Sequence, residues 1–324
     1  MVDQQQGRRS TAPDKPESAD IDQLYEAADI EGAINDPETA HLVINKDQIA
    51  GKNDVEGLFV KPEEIDQGVR VEIKVEEGSI IEKPVHMCFG VTDSTGLQKI
   101  VMDIDVEADA KIGILAHCLF PRAEQVKHVM DADIHVGPGA EYTYLEKHVH
   151  SPGGGVEVIP RAEVELERGA RFRTDFELLE GRVGTLDIDY ETTCREDSLL
   201  EMTAKVDGTG ADFIDISESG HLIGRGARGV LNTRVAVRDE ARAEVYNTLT
   251  ATAPDSRGHV DCKEIVQGNA EAKAVPIVDV KHPGAHVTHE AAIGSVDTKQ
   301  LQTLLARGLT EEQAVDLIIQ GLLS

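Results

Sequence analysis

Three residues in the last quarter of the chain carry side chains that bind transition metals. They are Cys262, His289 and Glu290, and the two later residues follow the cysteine by 27 and 28 positions. A thiolate is a soft ligand for iron or zinc, an imidazole is borderline and a carboxylate is hard. This mixed set predicts a metal centre held less tightly than by four thiolates, which suits a cluster meant to leave the protein. The alternative is structural: a small buried cysteine and a solvated His-Glu pair.

A second candidate metal site lies at His148 and His150. If this segment is a strand, both imidazoles share one face with Glu146, and Glu157 is nearby. A His-x-His pair with a carboxylate is how cupin-like proteins hold a metal. The competing interpretation is a structural pair of histidines, because an acidic chain offers many accidental neighbours.

The chain lacks the self-contained motifs of several other classes. Its four cysteines, Cys88, Cys118, Cys194 and Cys262, have no Cys-x-x-Cys spacing, so neither a zinc ribbon nor an all-cysteine cluster site is predicted. Cys118 and Cys194 are expected to be core residues. There is no GxxxxGK[ST] loop and no GxSxG motif, and the Gly-rich residues 151–156 lack the lysine of a phosphate-binding loop.

Composition restricts the partners and the compartment. Sixty acidic against 32 basic residues give a formal charge of −28, which argues against a nucleic-acid or anionic-membrane partner because both need a basic patch. The acidity is compatible with a salty cytoplasm or with solubility alone. The first twenty residues have no secretory signal, and no apolar run approaches the roughly 20 residues of a membrane span. A cytoplasmic protein with free thiols is therefore expected.

Periodicity divides the chain into four segments. Residues 1–20 are expected to be a disordered tail, and residues 21–70 a mixed segment with a short helix near residues 21–28. Residues 71–296 are expected to form a β-rich core, because short Val- and Ile-rich strands alternate apolar and charged residues. With no Trp and six Phe, large aromatics are not expected to build this core. Residues 297–324 are expected to be helical.

Turn motifs ending in alanine recur through the core segment. They lie at Gly139-Ala140, Gly169-Ala170, Gly210-Ala211, Gly226-Ala227, Glu240-Ala241, Asn269-Ala270 and Gly284-Ala285. A residue that tolerates a tight turn, followed by a small side chain, suits the stacked coils of a β-solenoid. Hairpins or a β-sandwich remain the alternative from periodicity alone.

Helix caps are clear near the C-terminus. Asp297 is placed to cap a helix that runs to Arg307 and ends at Gly308, and Thr310 to cap a second helix with Gln313 at the capping-box position. The apolar stripes are Leu301, Leu304 and Leu305 on the first helix and Ala314, Leu317 and Ile318 on the second. Such helices can cap the end of a solenoid.

Five short motifs follow one another in the C-terminal part of the chain. They are Cys262-Lys263-Glu264-Ile265-Val266-Gln267-Gly268, Ala274-Val275-Pro276, His289-Glu290-Ala291-Ala292-Ile293-Gly294, Leu304-Leu305-Ala306-Arg307-Gly308-Leu309, and Glu312-Gln313-Ala314 with Gln320-Gly321. Together they resemble the SufB/SufD family of iron-sulfur cluster scaffolds, most strongly over residues 255–324. The resemblance implies a mainly β protein with a right-handed parallel β-helix core, an N-terminal α/β segment and two C-terminal helices that dock SufC, an ABC-type ATPase.

The resemblance also implies roles for single residues. Cys262 matches the SufB cysteine that is thought to receive the nascent cluster. Glu290 matches the second acidic residue of the SufB motif E-H-E-A, and His289 matches its histidine and that of the SufD motif S-H-G-A. Thr288 stands where SufB has the first glutamate, and the N-terminal cysteine motifs of SufB are absent. The chain is thus similar to a short, archaeal-like form that supplies in one polypeptide what SufB and SufD divide.

The implied function is a non-enzymatic scaffold for a transient iron-sulfur cluster, either [2Fe-2S] or [4Fe-4S]. Such a cluster needs four protein ligands, and one chain offers Cys262 with His289 or Glu290, so a homodimer with the site at its interface is expected. A SufC-like partner would hydrolyse ATP, and acceptor apoproteins would take the cluster. A cupin-like metal protein using His148 and His150 is the alternative, and a pectate-lyase-like enzyme is disfavoured by the missing secretory signal.

Overall fold

The computed structural model describes residues 30–324. The expected disordered tail and the expected helix near residues 21–28 lie outside the described residues. The strands are β1 (His41–Asn45), β2 (Gln48–Asn53), β3 (Leu58–Ile65), β4 (Gly68–Val75), β5 (Val85–Gly90), β6 (Thr95–Val106), β7 (Lys111–Phe120), β8 (Gln125–Val136), β9 (Glu141–His150), β10 (Val156–Leu166), β11 (Arg171–Glu180), β12 (Gly184–Cys194), β13 (Leu199–Gly208), β14 (Phe213–Leu222), β15 (Arg228–Val237), β16 (Arg242–Ala251), β17 (Arg257–Val266), β18 (Glu271–Val280) and β19 (His286–Gly294). The helices are α1 (Glu31–Ile34), α2 (Thr298–Leu305) and α3 (Glu311–Leu323).

The strands stack into two sheets that face each other. From β5 onward, odd-numbered strands form one sheet in the order β5, β7, β9 up to β19, and even-numbered strands from β4 to β18 form the other. From β6 onward, each strand pairs in parallel with the strand two before it, as Thr233 of β15 pairs with Cys262 of β17. Two strands therefore make one coil, and about eight coils make a β-solenoid. This confirms the predicted solenoid and excludes the sandwich.

Antiparallel hairpins start both sheets. β1 pairs with β2, and β3 pairs with β4, before the parallel stack begins. Because β1 and β4 already belong to the sheets, the structural core begins before residue 71. No helix in the described part of the chain is both long enough and apolar enough to cross a membrane.

The core lies between the two sheets. Inward residues alternate with outward ones, as on β13, where Leu200, Met202 and Ala204 are fully buried. Large aromatics contribute more than the composition suggested. Although they are few, Phe120, Phe176 and Tyr142 are among the largest fully buried side chains, because the inward positions of the middle coils concentrate them.

The turns between strands explain the alanine motifs. Gly139 has φ +69°, a left-handed conformation that glycine adopts without strain, and the matching turn residue of the neighbouring coil, Asp109, has φ +56°. The alanine that follows, Ala140, is fully buried under the next coil. The motif at Ala211 is different, because Ala211 is exposed and Asp212 takes the inward position, where it binds Arg182 at 2.9 Å.

The two C-terminal helices begin at the predicted caps. Asp297 accepts a hydrogen bond from the Gln300 backbone N–H at 2.7 Å, and Thr310 and Gln313 form the capping box of α3. Gly308, with φ +95°, lies in the left-handed region after α2, as its C-terminal role requires.

The buried face of α3 differs from the predicted stripe. It consists of Ala314, Val315, Ile319 and Leu323. Val315, Ile319 and Leu323 pack against Ala236 of β15 and Ile265 of β17. The helices therefore lie on the outer face of the odd-numbered sheet and not over the open end of the stack. This leaves Leu317 exposed.

Candidate functional site

Cys262 lies on β17, the last strand but one of its sheet. Its side chain points between the sheets and is fully buried. Burial raises the pKa of the thiol to about 12, and the nearby carboxyl groups of Glu264 and Glu218 add to the effect. The sulfur is therefore protonated at neutral pH in this conformation, which makes it a poor nucleophile until its surroundings change.

The interior around Cys262 is unusually polar. The amide of Asn247, on the opposite sheet, donates to Thr233 Oγ1 at 2.6 Å and contacts Cys262 Sγ at 3.7 Å. Glu218 is the register neighbour of Asn247, and Glu264 lies two residues after the cysteine on the same face. Together these side chains line a polar space beside the thiol.

Both of these carboxyl groups lack a full set of partners. Burial raises the pKa of Glu218 to about 8 and that of Glu264 to about 7. Glu218 Oε2 and both carboxyl oxygens of Glu264 have no hydrogen-bond partner among the described residues. Buried polar atoms nearly always have a hydrogen-bond partner, so this group of atoms without partners marks the region as a candidate functional site.

Sequence analysis missed Glu218 and Asn247. Each stands at an inward position of a period-two strand, and that period is visible in the sequence. Their proximity to Cys262 depends on which residues of the two sheets oppose each other, which the sequence does not show.

The other two predicted ligands lie on different faces of β19. His289 pairs with inward-facing Val260, so it shares the interior face with Cys262, while the cysteine itself pairs with Ala291. Glu290 pairs with Asp261 and lies on the outer face. Both His289 and Glu290 are exposed, because no further coil covers β19. Within one chain, the structure brings His289 to the side of Cys262 and separates Glu290 from it.

Glu290 belongs to a different group of possible ligands. Its carboxylate lies within 4.8 Å of ligand atoms of His259 and Asp261. Two cations already bind Asp261, since Arg234 lies at 2.5 Å and Lys263 at 3.1 Å. Burial acts to raise the pKa of Asp261, but these hydrogen bonds outweigh it and hold the pKa below its usual value. The negative charge of the Asp261 carboxylate is therefore already neutralised by Arg234 and Lys263.

The second predicted site is a buried cluster and not a solvated pair. His148 Nε2 lies 2.8 Å from Glu146 Oε1, and His148 Nδ1 lies 3.1 Å from His150 Nε2. The predicted shared face of these three residues is thus confirmed. Glu157 is not part of the cluster, because it forms a surface ion pair with Lys127.

The cluster extends to two residues that sequence analysis did not assign to it. Cys118 Sγ lies 3.5 Å from Glu146 Oε1 and 3.9 Å from His128 Nε2. Cys118 is a core residue, as predicted, but it is in contact with ionisable groups. Burial lowers the pKa of His128 to about 3, so its ring is neutral at physiological pH. The remaining cysteines, Cys88 and Cys194, are also fully buried.

An apolar groove runs between the C-terminal helices. Its volume is about 640 Å³, and its lining includes Ile265 of β17, Leu304 of α2 and Leu317 of α3. Leu317 is 48% exposed. The preceding residue on α3, Asp316, binds Arg238 at 2.7 Å, next to the end of β15.

The fold and the site together define the chain as a β-solenoid protein with a candidate metal-binding thiol in its last coils. The described chain is a β-solenoid whose last coils combine a buried thiol with orphan carboxyl groups and whose helices offer an apolar groove. The family model described as "SUF system FeS cluster assembly, SufBD core domain" matches residues 91–322.

Two relatives match this chain over most of their length. The chain is 36% identical over 282 residues to an iron-sulfur cluster assembly SufBD family protein of Methanocaldococcus jannaschii, covering 87% of this chain and 89% of that protein. A SufBD family protein of Pyrococcus horikoshii is 35% identical over 301 residues, covering 93% and 92%. Similarity to SufB of Bacillus subtilis is 27% over 70 residues, or 21% of this chain and 15% of that protein. The chain belongs to the SufBD family of iron-sulfur cluster assembly proteins.

Proposed function

We propose that this chain is the scaffold on which a labile iron-sulfur cluster is assembled at a homodimer interface, driven by a SufC-like ABC ATPase. The observation that carries the proposal is the environment of Cys262 in the last coils of the solenoid. A lone thiol lies there beside Glu218, Glu264 and Asn247, at the end of the stack that carries His289. The cluster is cargo: it is built on the protein, in the cytoplasm, and passed to acceptor apoproteins.

The open end of the solenoid supports a two-chain site. β18 and β19 are the last strands of their sheets, so each has one edge without a strand partner among the described residues. Apolar residues are exposed on these strands, with Ile277 on β18 and Ile293 on β19, which is 48% exposed. Such edges favour pairing with another chain. A two-fold axis at this end would bring together Cys262 and either His289 or Glu290 from each of two chains, which gives the four protein ligands of a [2Fe-2S] cluster. A [4Fe-4S] cluster is the other candidate.

Dimer formation also bears on Glu290. Because Glu290 and Cys262 lie on opposite faces of the sheet within one chain, the two contribute to one cluster only if the partner chain or a movement of β19 brings them together. His289 already shares the face of Cys262 and is the simpler second ligand.

The C-terminal helices are proposed to dock the ATPase in their apolar groove. α3 packs on β15 and β17, and the Asp316–Arg238 ion pair ties it to the end of β15. A partner that closes over ATP and pulls on α3 would therefore also exert force on β17, the strand that carries Cys262. The buried, protonated thiol would open for iron and sulfide, or for release of the finished cluster.

Anaerobic reconstitution with iron and sulfide, carried out with the partner ATPase and ATP so that the buried Cys262 thiol can open, tests the proposal. The wild type should gain the visible absorption of a cluster with matching iron and acid-labile sulfide, and Cys262→Ser should lose at least nine-tenths of it. Cys194→Ser is the matched control, because Cys194 is equally buried in another part of the solenoid and should leave loading unchanged. Full loading of Cys262→Ser would refute the proposed site.

The cupin-like alternative is not favoured. Family membership covers most of the chain, and all four ring nitrogens of His148 and His150 already contact polar partners inside the protein, which leaves neither ring free to bind a metal.

A further inference from the structure

We propose that Cys118, His128 and Glu146 form a binding site for a divalent transition-metal ion inside the solenoid, separate from the Cys262 site. The three residues lie on β7, β8 and β9, so the site bridges the two sheets. All three side chains are buried. The proposal goes beyond cluster assembly and does not depend on it.

The spacing of the ligand atoms fits an ion. Cys118 Sγ lies 3.5 Å from Glu146 Oε1 and 3.9 Å from His128 Nε2, and all three ligand atoms lie within 4.8 Å of one another. Around a tetrahedral zinc, bonds of roughly 2.0 to 2.3 Å place neighbouring ligand atoms about 3.5 Å apart. The side chains therefore need only small movements to close on an ion.

Two buried atoms of the cluster are unsatisfied among the described residues. Glu146 Oε2 has no hydrogen-bond partner, and neither has His128 Nδ1. The second ring nitrogen of His128 has only its long contact with the sulfur. A buried imidazole nitrogen and a buried carboxylate oxygen without partners are costly unless something binds the groups that carry them.

A supporting chain of hydrogen bonds leaves Glu146 Oε2 free for the ion. The Arg182 carbonyl can only accept, so His150 Nδ1–H donates to it at 3.3 Å. His150 Nε2 then accepts from His148 Nδ1–H at 3.1 Å, and a further proton is held between His148 Nε2 and Glu146 Oε1, which lie 2.8 Å apart. This arrangement orients the carboxylate as hydrogen-bonded groups behind metal ligands commonly do.

Charge and ligand type select the class of ion. The ligands lie in an interior bordered by Phe120 and Phe176, where the charge of a cation has to be offset by its own ligands, the Cys118 thiolate and the Glu146 carboxylate. Sulfur and imidazole ligands favour zinc, cobalt or iron over magnesium or calcium. The outer group of His259, Asp261 and Glu290 does not qualify, because Arg234 and Lys263 already neutralise Asp261.

The test uses the full chain and cobalt as the probe. Because the site is sealed, the ion is expected to enter while the chain folds, so the protein is produced in cobalt-supplemented medium and dialysed against a chelator. We expect one chelator-resistant cobalt per chain, with a thiolate-to-cobalt charge-transfer band. Cys262→Ser and Cys194→Ala should retain both signals, since neither thiol belongs to the cluster.

Cys118→Ala should lose the charge-transfer band and at least nine-tenths of the retained cobalt. Glu146→Gln, which keeps the size of the side chain, should lose at least as much cobalt and covers the case in which Cys118→Ala does not fold. A wild type without chelator-resistant cobalt would overturn the proposal. So would an unchanged cobalt content in Cys118→Ala, or loss of the band in Cys262→Ser.

Discussion

At the scale of single residues, the environment of Cys262 controls its chemistry. Burial holds the thiol protonated, and the two carboxyl groups beside it also resist ionisation. A site with these properties is inactive when closed. Activity then requires a change of conformation that exposes the sulfur, which makes thiol reactivity a direct report of the state of the scaffold.

Alkylation should detect that change. In the isolated chain, Cys262 should react slowly with iodoacetamide, because it is buried and its pKa is about 12. Addition of the partner ATPase with ATP should raise its rate at least tenfold, while Cys194 stays unreactive as an internal control. Peptide mass spectrometry separates the two sites. An equal increase at both cysteines would indicate general unfolding and not a specific opening.

Glu218 should make stability depend on pH. In the folded chain its carboxyl group keeps its proton up to about pH 8, whereas in the unfolded chain it ionises near 4.5. The folded state therefore binds more protons between these values, and the stability from this group falls as pH rises, by up to about 1.4 kcal/mol per pH unit.

Guanidinium unfolding of Glu218→Gln and the wild type at pH 5 and pH 8 measures the effect. The free energy of unfolding of the variant minus that of the wild type should be larger at pH 8 than at pH 5. Glu240→Gln, at an exposed turn position, controls for the loss of a carboxylate without burial. A difference between Glu218→Gln and wild type that is the same at both pH values would contradict the assignment.

At the scale of secondary structure elements, the predicted architecture follows from local patterns. Period-two strands and left-handed turn residues such as Gly139 specify coils, and Asp297 and Thr310 specify helix starts. The face of α3 was predicted less well. Its apolar residues nearly surround the helix, so the buried side is chosen by the sheet it packs on, and Leu317 is left in the groove.

Leu317 should matter for partner binding and not for folding. Leu317→Asp places a charge in the apolar groove and should weaken binding of the ATPase at least tenfold, because an exposed apolar anchor is lost. Since the side chain is already 48% exposed, the midpoint of thermal unfolding should change little. Gln320→Asp adds the same charge at another exposed position of α3 as the control. Calorimetric titration with unchanged affinity for Leu317→Asp would remove the groove from the proposed interface.

At the scale of the whole molecule, the alignment of strands within and between the two sheets determines which side chains meet, and the sequence does not show the alignment between the sheets. A coil of two strands brings residues about 30 positions apart into contact along each sheet, as with Thr233 and Cys262. Contacts across the two sheets, such as Asn247 with Cys262 or His128 with Cys118, depend on how the sheets oppose each other. For this reason the sequence alone draws attention to Cys262 and to the His148–His150 pair but not to the residues that face them across the two sheets.

The net charge should make stability depend on salt. A formal charge of −28 repels itself in the compact state, and added salt screens that repulsion. The midpoint of thermal unfolding should therefore rise between 0.1 M and 1 M KCl. Sucrose at matched osmolality, which does not screen charge, should have a smaller effect. A midpoint that is flat or falls with KCl would show that the surface charges are already balanced locally.

Native mass spectrometry of the anaerobically reconstituted chain tests the two-chain cluster site most directly. If Cys262 and its neighbours form half of a shared site, the mass of an iron-sulfur cluster should appear on the two-chain species alone, one per dimer. A single chain that carries the cluster would contradict the shared site, as would a Cys262→Ser dimer that carries it at the wild-type level.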